Sequence, residues 1–380
     1  MPFNRVLGDV SKLIMEPLVA AMPRLEKLGW RLINQDFEQG ICLTFERNSK
    51  VIFFEFEPLN AARDAYSHTV HFNTQARDPF RPTALSEVDR AFSDAVIRLI
   101  EKGFSAMPHI DRPAISRNTE AREILVDSVL MPEGRNQYYI NPYVGCTMGC
   151  NFCYVIARAD FSRGIEGLPC LKWGHYVDVK VNAPEILSHE IKQHPRGIVR
   201  ISPILTDPYQ PVERKYRITR KCLEILRGGG FTPVILTRSG LVTEDIGLLK
   251  SFDGAAVGFS IPTDDDKYRK IFESGASPIE ERFDALRQCA EAGLTSFVCI
   301  QPIYPMNVDR LLDKIAPYVH SVRIDRMQFV DNIMDLYVDS GLEFASTEEF
   351  FDETEKLLME GLRKRGIPTY EFDDMEILKQ

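Results

Sequence analysis

Three cysteines, Cys146, Cys150 and Cys153, stand in residues 141–154, NPYVGCTMGCNFCY, with the spacing C-x3-C-x2-C. A thiolate is a soft ligand that suits iron–sulfur clusters, zinc or Cu(I). The number of thiols decides more than their spacing. A [4Fe–4S] cluster ordinarily takes four cysteine thiolates, so three in one short loop leave an iron without a protein ligand. An open iron can chelate a molecule that offers an amino group and a carboxylate. The methionine end of S-adenosylmethionine (SAM) offers both, and SAM is a route into radical chemistry. The competing reading is a structural zinc site, which is normally closed by four ligands. No histidine lies within residues 141–154, and Cys170 and His175 are the nearest downstream residues that could complete such a site. Disulfides are disfavoured: eight cysteines in 380 residues is a low density, and the opening MPFNRVLGDVSKLIMEPL lacks a secretory apolar core.

Composition frames what this loop serves. Hydrophobic residues at 44% and charged residues at 27% are those of an ordinary globular chain. A formal net charge of −9 argues against a broadly basic nucleic-acid surface and leaves room only for a local basic groove. No apolar run approaches bilayer length, so no membrane association is expected. The expected compartment is a reducing cytoplasm, which suits an oxygen-sensitive cluster.

The elements that would position the loop begin after a separate N-terminal α+β domain, residues 1–112. Residues 18–32 have helical apolar spacing, with Pro23 expected to break or start the helix. A hairpin follows: Ile41, Leu43 and Phe45 alternate with polar positions, NSK forms the turn, and residues 51–56 return. HTVHFNT adds a third strand, with His68 and His71 on opposite faces as surface or structural residues. Residues 87–102 read as an amphipathic helix with Val88, Phe92, Val96 and Leu99 on one face. Residues 107–118, MPHIDRPAISRN, read as a linker.

From residue 113 to 340 strand and helix patterns alternate. Strands are expected at 138–143, 198–204, TPVILTR, GAAVGFSI, SFVCIQPI and SVRIDRMQF. Helices are expected at 213–226 (ending at the glycines 228–230), at 280–291 (stopped by Gly293) and at 309–318. This alternation predicts an α/β fold with a parallel sheet, and six repeats fit a partial (β/α)6 barrel. Residues 341–380 form an acidic tail, with eleven Asp/Glu against five Lys/Arg. Within it, residues 347–365 read as a helix with acidic residues at its start and LRKR at its end, packing on the barrel.

In such sheets chemistry collects at the carboxyl ends of the strands. Thr206 and Asp207 follow the second strand, Arg238 the third, Ser260 ends the fourth, and Gln301 ends the fifth. A guanidinium can hold a carboxylate bidentately, and hydroxyls can bond a carboxylate or a ribose. The plain alternative is that these are turn and cap residues. Cys222, Cys289 and Cys299 fall at core spacings, Cys42 lies in the hairpin, and Cys170 is a loop thiol that could serve as a hydrogen-atom donor.

The cysteine motif, with Phe152 just before its last cysteine, resembles the radical SAM signature. Its flanks NPYVGCTMGCNFCY, DVKVNAPEIL and SPILTDPYQPVE resemble the spore-photoproduct-lyase-like branch of that superfamily, over roughly residues 115 to 335. The resemblance implies a [4Fe–4S] cluster on Cys146, Cys150 and Cys153. It also implies a SAM pocket lined by Thr206, Asp207, Arg238 and Ser260, with Phe152 and Tyr154 near the adenine. Lys180 and Asn182 match its K-x-N block and would face the substrate. Spore photoproduct lyase proper carries a catalytic cysteine immediately before the threonine of the second strand end. SPILTDPYQ has none, so thymine-dimer repair by that route is not expected.

The leading expectation is therefore a radical SAM enzyme, of lyase or transferase class, that abstracts hydrogen through a 5′-deoxyadenosyl radical. It would draw electrons from a donor such as flavodoxin or ferredoxin. Its substrate is a small molecule, a peptide or a nucleic acid. The rivals are a nucleic-acid-modifying lyase of the same superfamily and a non-enzymatic zinc or iron–sulfur interaction protein.

Overall fold

The computed structural model describes residues 9–36, 41–48, 50–58, 66–73, 86–104, 120–156, 159, 163, 171–201 and 205–369. The linker expected at 107–118, the loop thiol Cys170 and the last eleven residues lie outside them.

In the N-terminal unit four antiparallel strands run in the order β1-β2-β3-β4: Arg31–Asp36, Ile41–Arg47, Lys50–Pro58 and Tyr66–Asn73. Two helices, Asp9–Lys27 and Glu87–Phe104, belong to the same unit. Alternation in β2 and β3 sends Ile41, Leu43, Phe45, Ile52, Phe54 and Phe56 into one core with Ile14, Leu18, Trp30, Phe92 and Val96. Trp30 stacks on Phe92 with centroids 4.4 Å apart. Gly103 lets the helices touch, because a Cβ there would strike the Ile14 carbonyl. Asp89 is buried and ties helix to hairpin, accepting from Arg47 at 2.7 Å, Lys50 at 2.8 Å and the Ser86 hydroxyl at 2.6 Å.

Two expectations here are corrected. The first helix starts at Asp9, runs through Pro17 and Pro23 and ends at Lys27, ahead of Gly29 at φ +85. Each proline removes one N–H from the ladder, but Ile14, Met15, Leu18 and Leu25 bury that helix face. The chain that follows is strand β1 rather than more helix. On the second helix Val88 is 62% exposed, and the buried face is Asp89, Phe92, Ser93, Val96 and Ile100. His68 and His71 lie in register with Phe56 and Phe53 on β4.

The strands that follow are β5 (Glu120–Ile124), β6 (Met131–Gly134), β7 (Gln137–Tyr139), β8 (Tyr143–Val144), β9 (Tyr176–Lys180), β10 (Ile198–Ile201), β11 (Thr232–Thr237), β12 (Ala256–Ser260), β13 (Thr295–Ile300) and β14 (Ser321–Ile324), and all but β6 belong to the larger unit. The strands β7, β10, β11, β12, β13 and β14 lie side by side in sequence order, all parallel. Helices such as Ile218–Gly229, Ile279–Glu291 and Val308–Ile315 connect them. This is the α/β partial barrel expected, with a smaller N-terminal antiparallel sheet. Its strands are buried on both faces, so Ile201, Ile235, Val257, Phe259, Val298 and Ile300 share one core with the connecting helices.

Two expected elements are broken. The stretch 138–143 divides between β7 in the parallel sheet and β8, which pairs antiparallel with β9 in a separate sheet ordered β5-β9-β8. Pro142 has no N–H to extend a ladder, and the Asn141 side chain instead accepts from the Leu205 N–H at 3.3 Å. The helix expected at 213–226 is two, Glu213–Tyr216 and Ile218–Gly229, parted by Arg217 at φ 54. Gly230 (φ 73) and Gly293 (φ 82) end their helices as read.

The C-terminal helix Glu348–Lys364 is capped by Thr347, whose hydroxyl accepts from the Phe350 N–H at 3.2 Å. Its Phe351, Leu358 and Leu362 join the barrel core.

Candidate metal centre

The cysteine loop leaves β8 and is clasped by the segments that follow the parallel strands. Gly145, at φ +86, begins it; a Cβ there would come within 2.7 Å of the Tyr176 ring. The Gly145 N–H donates to the Leu205 carbonyl at 3.2 Å. Its carbonyl accepts from the Thr206 hydroxyl at 2.7 Å and from Gln210 Nε2 at 3.2 Å. Gln210 also donates to Thr206 Oγ1 at 2.5 Å and accepts from the Thr147 N–H at 2.9 Å. One buried amide, on the turn after β10, thus grips the chain on both sides of Cys146.

The far end of the loop is held by the turn after helix Asp266–Phe272. The Asn151 N–H donates to the Phe272 carbonyl at 2.9 Å. A Cβ at Gly275 would come within 2.5 Å of the Met148 carbonyl, so only glycine admits this approach.

Asp207 joins the ends of β10 and β11. Its carboxylate accepts from the Tyr209 N–H at 2.9 Å, the Thr237 hydroxyl at 2.6 Å and the Arg238 N–H at 2.8 Å. Burial raises its pKa above the ordinary carboxyl range, against the pull of those three bonds. Arg238 crosses the site: Nε donates to Glu273 at 2.8 Å and Nη2 to the Gln301 carbonyl at 2.9 Å. Its guanidinium carbon lies 5.5 Å from the Phe152 ring centroid. Burial opposes its charge, but the Glu273 carboxylate more than compensates and its pKa is raised.

Glu273 is itself fully buried, and its other oxygen pairs with the fully buried Arg282 at 2.6 Å. Arg282 donates onward to the carbonyls of Ser260 at 2.8 Å and Ser277 at 2.9 Å. The triad Arg238–Glu273–Arg282 therefore links the ends of β11, β12 and β13 under the loop. Counted as formal charges it carries one positive charge in excess.

Cys146 and Cys150 are buried and Cys153 is half-buried. They pack with Met148, Ala276, Phe152 and Trp173. Burial pushes the Cys146 thiol up to about 12, with the Asp207 carboxylate adding to it. Burial also raises Cys150, against the pull of Arg238. Buried thiols of this kind ionise only when a metal replaces the proton.

Of the residues read from sequence, the structure gathers Phe152, Thr206, Asp207, Arg238 and the Gln301 carbonyl around the loop. Ser260 is buried and contributes its carbonyl to Arg282. Tyr154 is 38% exposed. Asn182 spends its amide on the Val126 backbone, at 2.9 and 2.8 Å. Lys180 is buried on β9. Gln210, Glu273, Arg282 and Tyr304 were not singled out. Gln210 stands in the TDPYQ block and could have been, whereas nothing in the periodicity marks the other three.

Among the described residues no three His, Cys, Asp or Glu side chains converge on a point that could hold one metal ion. A tetrahedral zinc with Zn–S near 2.3 Å would draw its thiolates to roughly 4 Å from one another. A cubane cluster takes each thiolate on a different iron. Three thiols along one loop are a donor set that a cluster can take, each on its own iron.

The Radical SAM superfamily model matches residues 140–314. An uncharacterized protein of Methanocaldococcus jannaschii is 30% identical over 187 residues, 48% of this chain and 68% of its own length. A Radical SAM Nα-GlyT isomerase of Pseudomonas phage M6 is 24% identical over 196 residues, 51% of this chain and 37% of its own length. Among solved structures, a spore photoproduct lyase mutant with bound AdoMet and dinucleoside spore photoproduct aligns over 62% of this chain and 76% of its own. Its TM-score is 0.47 at 17% identity. The match that begins just after β7 and runs into the helix before β14, together with the archaeal relative, makes this chain a member of the radical SAM superfamily.

Proposed function

We propose that this chain is a radical SAM enzyme whose [4Fe–4S] cluster is held by Cys146, Cys150 and Cys153 and whose open iron takes SAM. The observation that carries this reading is the three-thiol loop clasped by Thr206, Gln210 and Arg238 at the carboxyl ends of parallel strands. When bound, the cluster and SAM supply a 5′-deoxyadenosyl radical that abstracts hydrogen from the substrate.

The chain's own residues bind, orient and screen. Gln210 and Thr206 fix the backbone that presents Cys146. Asp207 orients the Arg238 backbone and Glu273 its guanidinium. Arg238 Nη1, which has no protein partner among the described residues, is available to a SAM carboxylate. Phe152, with Tyr304 edge-on at 5.9 Å, forms an apolar wall for the adenine. Tyr154, Ser260, Gln301, Lys180 and Asn182 are the remaining candidates for cofactor or substrate contact.

Reduction calls for a low-potential donor of the flavodoxin or ferredoxin type, and the expected compartment is the cytoplasm. Among the described residues no helix is long and apolar enough to cross a membrane. The name of the phage relative supports an enzymatic role and keeps isomerase beside lyase as a reaction class.

The test is anaerobic reconstitution followed by iron, sulfide and zinc analysis and EPR. About four irons and four sulfides per chain, with an EPR signal that SAM perturbs, are expected. About one zinc without sulfide would replace the enzyme by a metal-stabilised interaction protein.

A further inference from the structure

Among the described residues the Tyr304 hydroxyl and the Trp173 indole N–H, both beside the cysteine loop, are buried without a hydrogen-bond partner. Tyr304 is 1% exposed. Its ring stacks on Phe272 at 4.6 Å and meets Phe152 edge-on at 5.9 Å, which wedges it against the stretch from Cys150 to Cys153. Trp173 packs on the small core formed by Cys146, Met148, Cys150 and Ala276. It is held there by the next residue: a Cβ on Gly174 would come within 2.9 Å of the Gly149 Cα, so the two backbones are pressed together.

Buried polar groups in folded proteins have partners. An indole N–H can only donate, and a phenol hydroxyl readily does. The partner of Trp173 must be an acceptor and that of Tyr304 can be one, and a group carried by the loop would supply both. Thiolate and sulfide sulfur are such acceptors, and hydrogen bonds to them help to set the potential of an iron–sulfur cluster.

We propose that Trp173 Nε1–H and Tyr304 O–H donate hydrogen bonds to sulfur atoms of the cluster and so raise its reduction potential. This deepens the function proposed above and rests on it. The reduced cluster carries one more negative charge than the oxidised one, so a fixed donor stabilises it more. The two side chains are tuning residues and take no part in bond making.

The experiment compares Tyr304→Phe and Trp173→Phe with the parent chain. The first readout is the cluster midpoint potential from an EPR-monitored redox titration. In each variant the reduced-to-oxidised ratio at a fixed solution potential should fall by roughly threefold to tenfold, tenfold being about 59 mV for one electron. SAM affinity of Trp173→Phe, from calorimetry, should be unchanged. The second readout needs no cluster: metal-free Tyr304→Phe should melt above the parent chain, because it loses a buried hydroxyl without a partner.

Unchanged potentials in variants with full iron and sulfide content would overturn the proposal. So would weaker SAM binding at unchanged potential, which would give the donors to SAM, or a lower melting temperature for metal-free Tyr304→Phe. A parent chain that takes up no [4Fe–4S] cluster would instead defeat the proposed function itself.

Discussion

Replacing Gln210 with alanine should loosen the cysteine loop more than it disturbs the barrel. The side chain is fully buried and bonds to Gly145, Thr147 and Thr206. After truncation the Gly145 carbonyl keeps the Thr206 hydroxyl at 2.7 Å, so it is not orphaned. The Thr147 N–H loses its acceptor, which costs about 1–3 kcal/mol for a group shielded from water. The vacated volume adds about 1 kcal/mol, giving an expected loss of about 2–4 kcal/mol. Urea unfolding of the metal-free chain should show a lower midpoint at unchanged slope. Iron and sulfide uptake should fall with it. Gln210→Glu should be no better, because it turns a carboxylate oxygen toward the Gly145 carbonyl. A Gln210→Ala chain that loses less than about 0.5 kcal/mol and loads iron normally would refute the clasp.

Three further outcomes follow from the same geometry. Gly145→Ala, at φ +86 with the Tyr176 ring 2.7 Å from the new Cβ, should lose more than about 2 kcal/mol in thermal unfolding and fail to load iron. Glu273→Gln leaves Arg238 and Arg282 without a counter-charge; it should destabilise the chain by about 3–5 kcal/mol in denaturant and weaken SAM binding measured by calorimetry. Asp266 is held down to about 2, from an ordinary 3.8, chiefly by its hydrogen bond to Arg269. The native state therefore binds that proton less readily than the unfolded chain. The contribution, about 1 kcal/mol after allowing for solvent, is present above pH 4 and lost as pH falls toward 2; Asp266→Asn should flatten the stability–pH curve in that window.

The barrel was legible because its signals are local. Buried parallel strands read as apolar runs, and Gly230 and Gly293 stop helices by a backbone geometry that glycine supplies. The three-cysteine loop was legible for the same reason. What escaped depends on contacts between distant segments. The division of 138–143 between two sheets is settled by Pro142 and by the bond from Leu205 to Asn141. The strand Arg31–Asp36 was hidden because RLINQD has no clean alternation and its pairing with β2 is irregular between Leu32 and Asn34. The break at Arg217 follows from a left-handed residue that no glycine marks. Within the site, Glu273 and Tyr304 come from turns and Arg282 from the helix Ile279–Glu291, none of them marked by its local sequence, and only burial beside Cys150 gives them meaning.

Dithionite-reduced, anaerobically reconstituted protein incubated with SAM and analysed for 5′-deoxyadenosine tests the central claim most directly. The expected result is 5′-deoxyadenosine and methionine from the parent chain and none from Cys150→Ala. A complete cluster that leaves SAM intact, or a Cys150→Ala chain that still cleaves it, would contradict the account.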